Sequence, residues 1–175
     1  MDPIRRRGAF AAAMDECLAL AERARRDGDV PVGAVVLDEA GRIIGRGWNV
    51  REAAHDPAGH AEIRALREAG VSRGAWRLTG CSLVVTLEPC TMCAGAISLA
   101  RIATCAYGAI DPKAGAAGSL RDVLRDDRLN HTVEVIPGVR AEECSRQLTD
   151  YFRTQREMPP TAPRELDPGR KEPLS

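Results

Sequence analysis

Cys90 and Cys93 stand three residues apart in Thr86-Leu-Glu-Pro-Cys-Thr-Met-Cys-Ala94, where an apolar run gives way to a helical pattern. Thiols at that spacing share one face of a helix's first turn. Unpaired N–H groups and the positive end of the helix dipole favour thiolate there. Two neighbouring thiolates in a chain that reads as cytosolic are a metal site first. A third donor lies upstream at His60, followed by Glu62, at the opening of a helical run from His60 to Ala69 closed by Gly70. On a helix flank, residues i and i+2 diverge by about 200°. His60 and Glu62 can therefore share a target only at the helix's N-terminal end. Two helices aiming their N-termini at one point would bring an imidazole and two thiolates to the metal, with a carboxylate beside it. Zinc suits that donor set, and an open fourth position for water is what distinguishes a catalytic site from a closed structural one. No further Cys or His has ligand-like spacing; His55, five residues before His60, is the one rival and reads as a loop residue. The chemistry such a centre offers is hydrolysis, with Glu62 as general base and acid. The plain alternative for Glu62 is a surface carboxylate at a helix start, favoured by the dipole.

The elements that must position these groups follow from the pattern. Residues 8–27 carry Phe10, Ala13, Met14, Cys17, Ala21 and Ala24 at helical spacing, which predicts an amphipathic helix. Residues 32–38 and 42–48 predict a hairpin around Glu39-Ala-Gly41, and residues 49–59 a loop into the His60 helix. Cys81–Leu87 is a buried strand by its length and branching, bounded by Gly80 and Pro89. Beyond the Cys90 helix come a strand at 102–108, a Gly/Ala loop at 111–119, a short helix at 120–125, a strand at 131–136 and a long helix at 140–157. Strands alternating with helices predict a sheet covered on both faces, parallel where helices link the strands.

Length and composition narrow the field. At 175 residues, 44% hydrophobic and 29% charged, the chain is one soluble globular domain in the making, expected over 1–157. Residues 158–175 are rich in proline without apolar periodicity and are expected to be a disordered tail. No apolar run reaches the ~20 residues of a membrane span, and the N-terminus lacks a signal-peptide core, so a cytoplasmic protein is expected. Cys17, Cys81, Cys105 and Cys144 are scattered and read as buried reduced thiols. A formal charge of zero excludes a protein that coats nucleic acid non-specifically. Trp48 and Trp76 read as packing residues, and Arg5, Arg6, Arg7, Arg23, Arg25 and Arg26 as solvated charge.

His60-Ala-Glu62 followed by Pro89-Cys90-Thr-Met-Cys93 forms H-x-E…P-C-x-x-C, the signature of zinc nucleobase deaminases. Through it the chain resembles the cytidine deaminase superfamily and, within it, the bacterial tRNA-specific adenosine deaminases. Val30-Pro-Val-Gly-Ala-Val-Val36, Gly47-Trp-Asn49, His55-Asp-Pro57, Gly115-Ala-Ala-Gly-Ser-Leu120, Asn130-His131 and Asp150-Tyr-Phe-Arg153 carry the resemblance. One departure stands out: Ile110-Asp-Pro-Lys-Ala-Gly115 replaces the Arg-Asp-Ala-Lys-Thr-Gly of similar chains, so an arginine contact is missing.

The resemblance implies an α/β fold, a three-layer α/β/α sandwich around a five-stranded mixed sheet. It also implies one Zn²⁺ per subunit on His60, Cys90 and Cys93, a homodimer, and conversion of adenosine to inosine at the wobble position of a tRNA anticodon stem-loop. Asn49 would then hydrogen-bond the base, since an asparagine can pair with an adenine edge; turn chemistry is its other reading. Asp111, Lys113, Phe152 and Arg153 would contact the anticodon loop, with Tyr151 and Phe152 divided between core packing and stacking on a base. The zinc signature by itself also fits a deaminase of a free base or nucleoside. A zinc-stabilised binding module without catalysis is the non-enzyme alternative.

Overall fold

The computed structural model describes residues 3–157, so the expected C-terminal tail lies outside the described residues. The elements are α1 (Pro3–Arg26), β1 (Gly33–Leu37), β2 (Ile43–Trp48), α2 (Ala61–Arg73), β3 (Ser82–Leu87), α3 (Thr91–Leu99), β4 (Thr104–Ala109), β5 (Glu134–Ile136) and α4 (Ala141–Glu157). The five strands form one sheet in the order β2-β1-β3-β4-β5. β1 is antiparallel to both β2 and β3, whereas β3–β4 and β4–β5 are parallel. The mixed sheet matches the expected α/β architecture, including the parallel register across the helix-linked pair β3–α3–β4.

Alternating side chains on β1, β3 and β4 feed two cores. Ala34, Val36, Leu83, Val85, Cys105 and Tyr107 pack with Ala61, Ala65, Ala94 and Ile97 of α2 and α3. Val35, Leu37, Val84 and Ala106 pack with Phe10, Met14 and Cys17 of α1 and Cys144 of α4. The helices therefore form a layer on each face. Close approach requires small residues. A Cβ on Gly47 would lie 2.0 Å from the Ala61 carbonyl oxygen, and one on Gly45 would lie 2.2 Å from that of Ala65. β2 and α2 are in effect backbone to backbone, and this contact sets where His60 begins the helix.

Several boundaries differ from expectation. α1 starts at Pro3, a residue suited to a first helical position because its missing N–H has no partner there anyway. α2 runs through Gly70 and stops at Arg73, where Gly74 takes the left-handed conformation (φ 64°) and its N–H caps the Val71 carbonyl. Residues 120–125 are not a helix. Gly118 N–H donates to the Arg121 carbonyl and Arg121 N–H to that of Gly115, folding the segment back on the preceding loop. Leu120 is half exposed, so its apolar character marks no helical face. β5 is confined to residues 134–136, because Val133 N–H is taken by the Leu124 carbonyl instead of β4. Trp48 packs as expected, with the guanidinium groups of Arg23 and Arg64 each 3.8 Å from its ring centroid. Trp76 does not: it is 62% exposed, on a surface shared with Val71 and Leu99.

Candidate metal centre

His60 and Cys90 are the N-cap residues of α2 and α3, both in extended backbone and neither using its side chain to cap. Each side chain is thereby free to lean over the open first turn. Cys93, one turn into α3, is fully buried. The ligand atoms of His60, Cys90 and Cys93 all lie within 4.8 Å of one another. Tetrahedral zinc, with bonds of about 2.3 Å to sulfur and 2.0–2.1 Å to nitrogen, sets sulfur and nitrogen about 3.6 Å apart. His60 Nδ1 is 3.7 Å from Cys90 Sγ and 3.5 Å from Cys93 Sγ. The donor set fits zinc in both chemistry and spacing. His55, exposed and in left-handed backbone, stands apart from the cluster.

The electrostatics suit ligation. A hydrogen bond with Cys93, reinforced by the His60 ring, holds the Cys90 thiol down at about 3, and the same sharing pushes Cys93 up. The His60 imidazole is raised chiefly by its contact with Cys90. Glu62 lies in the first turn of α2, buried and touched by the Cys93 thiol; burial pushes its carboxyl above the ordinary range.

A cavity of about 420 Å³ opens onto the cluster, within the range of small-molecule sites (about 300–1,000 Å³). Asn49, His60, Glu62, Cys90, Asp111, Lys113 and Phe152 all line it. Asn49 is already engaged: its Oδ1 accepts from Ala61 N–H (3.0 Å) and its Nδ2 donates to the Val30 carbonyl (3.2 Å). One amide N–H and one oxygen lone pair are left for a ligand. Asp111 spends part of its carboxylate on its own turn, accepting from the N–H groups of Lys113 and Ala114. Tyr151 is buried, and Phe152, edge-on to it at 5.3 Å, is half exposed on the cavity side. Burial thus divides the two aromatics that the sequence leaves open. Arg153 is not part of the cavity wall; it pairs with Asp150 at 3.1 Å. Two charged lining residues escape the sequence reading, Arg51 and Glu88. Arg51 carries no signal, while Glu88 is an acid directly at the end of an apolar strand.

Residues 10–109 match the model of the cytidine and deoxycytidylate deaminase zinc-binding region. The chain is 48% identical over 158 residues to the tRNA-specific adenosine deaminase of Haemophilus influenzae, covering 90% of this chain and 91% of that protein. It is 43% identical over 153 residues to the tRNA-specific adenosine deaminase of Bacillus subtilis, covering 87% and 94%. A structure solved in studies of A-to-I editing by tRNA:A34 deaminases at the wobble position of transfer RNA aligns with a TM-score of 0.74 at 41% identity, over 78% of this chain and 99% of that one.

Proposed function

The chain belongs to the cytidine and deoxycytidylate deaminase zinc-binding family, and from that premise we propose that it converts adenosine to inosine at the wobble position of tRNA, by hydrolysis. The observation that carries this reading is the enclosed Glu62 carboxylate beside the His60–Cys90–Cys93 cluster, at the floor of a cavity large enough for a base. The tRNA substrate is supported by relatives of that activity that match nearly the whole chain.

His60, Cys90 and Cys93 would hold zinc, which when bound supplies Lewis acidity and brings the ionisation of water into the neutral range. Glu62 takes one proton of the attacking water and hands it to the purine ring nitrogen. It then takes the proton of the newly added hydroxyl and passes it to the amino group, which leaves as ammonia as the C–N bond breaks and the carbonyl forms. Its burial suits that task, since loss of hydration lifts the carboxyl above the ordinary range and makes it a stronger base toward water. Asn49 orients the base with its remaining N–H. Asp111 and Lys113 line one wall and Phe152 the mouth, where a flanking anticodon base can stack. Arg153 serves the backbone outside the cavity. An unpaired loop base needs little unstacking to enter such a pocket.

No helix among the described residues is long and apolar enough to cross a membrane. We assign the protein to the cytoplasm, where its substrate is made, and to a homodimer. Ile63, Leu66, Val71, Trp76, Leu78 and Leu99 form an apolar groove across α2 and α3, and an isologous interface with a second copy would cover it.

The test is turnover of an anticodon stem-loop bearing adenosine against free adenine, guanine and cytosine. Inosine in the stem-loop with no reaction of the free bases is expected. Turnover of a free base alone ends the tRNA reading.

A further inference from the structure

Glu88 follows β3 and precedes Pro89, and at 2% exposure it is as enclosed as the apolar core. The hydrogen bonds its carboxylate accepts all come from backbone N–H groups. Oε2 accepts from Asp111 at 3.0 Å, and Oε1 from Ala117 and Ser119, each at 3.0 Å. One side chain thus gathers both ends of the loop that follows β4. Ala116 N–H donates to the Pro89 carbonyl at 2.8 Å, so the loop is also stitched to the segment bearing the thiol ligands. The enclosure is tight: a Cβ on Gly115 would lie 2.5 Å from the Glu88 carboxyl carbon and 2.3 Å from Ser119 Oγ. At and around the first of these ends, Ile110, Asp111, Pro112, Lys113 and Ala114 form a continuous stretch of the cavity wall.

We propose that Glu88 is a positioning residue that fixes loop 110–119 as one wall of the cavity and so sets how firmly the substrate is held, while zinc and Glu62 act independently of it. The proposal rests on the deaminase reading above. Carboxylate is the group the place demands, because three donors converge on it and it has acceptors alone to offer. Glutamine has nearly the same shape but replaces one oxygen with a donor. It can keep the Ala117 and Ser119 bonds on its oxygen, and then turns an N–H toward the N–H of Asp111. The end of the loop that faces the substrate is the end released.

The experiment is Glu88→Gln in the full-length protein, read by zinc content, steady-state kinetics on the adenosine stem-loop and amide hydrogen exchange. Zinc content and kcat are expected to stay near the wild-type values. KM should rise about tenfold or more, the size of losing a hydrogen bond to a charged group, and exchange at Asp111 should accelerate. Glu88→Asp, which keeps the charge, should recover part of the KM. A fall in kcat with KM unchanged, or loop exchange identical to wild type, overturns the proposal. Should Glu88→Gln not fold, the wild type decides. Amides of Asp111, Ala117 and Ser119 protected like those of β3 support the clamp, and exchange as fast as in exposed turns refutes it. Exchange is read without turnover, so failure of the deaminase reading would show separately, as absence of inosine in the wild-type control.

Discussion

A carboxylate enclosed as completely as Glu62 has lost most of its hydration, and beside a cluster of metal-ligating side chains such a group is a candidate for proton transfer. Glu62→Ala is expected to lower inosine formation by about 10²–10⁴-fold, the usual worth of a positioned acid–base group. Zinc content by mass spectrometry should be unchanged, since the ligand atoms belong to His60, Cys90 and Cys93. Activity surviving in that variant would remove Glu62 from the chemistry. These four residues were legible in the sequence because their types are rare together and the spacing can be tested against helix geometry. Asn49 was legible as a position, but its bonds to Ala61 and Val30 were not, because they depend on how three separate segments meet. Glu88 was hidden for a related reason. A glutamate that serves backbone amides more than twenty residues downstream looks, in a linear chain, like one that faces water.

At the scale of elements, the sheet and helices were readable from apolar periodicity, since β1, β3 and β4 are buried and α1 carries a regular stripe. The region from 110 to 133 was not. Its order comes from the Glu88 carboxylate and from bonds such as Val123 N–H to the Ala116 carbonyl, and neither leaves a periodic trace. Glycines in strands are similarly silent until packing is seen. Gly47→Ala would drive a methyl into the Ala61 backbone at the very start of α2. A loss of about 3 kcal/mol in urea unfolding is expected, at the upper end for overpacking because backbone cannot rotate away. Zinc affinity should fall with it, as His60 directly precedes Ala61. Gly74→Ala meets open space but strains a left-handed residue, and should cost about 1 kcal/mol.

Among the described residues, the apolar face of α2 and α3 stands uncovered, with Val71 85% and Leu99 72% exposed. Monomeric proteins rarely leave such a patch uncovered. If the proposed homodimer forms through this face, Leu99→Asp should lower the mass measured in sedimentation equilibrium from that of two copies to one without unfolding the protein, as the side chain already faces solvent. A wild-type mass of one copy, or a mass the variant leaves unchanged, removes this face as the subunit contact. Trp76, expected as a packing residue, belongs to this face instead, and its apolar character alone could not tell a core position from an exposed one. The same two helices begin at His60 and Cys90 and end beside Val71 and Leu99. At 1.5 Å per residue each is a stiff rod about 13–20 Å long. Whatever grips the far ends of these rods therefore has a lever on the imidazole and the sulfurs. The apolar face and the metal cluster are joined by two rigid elements, so a surface mutation remote from the cavity can detune the reaction without touching a single group that performs it.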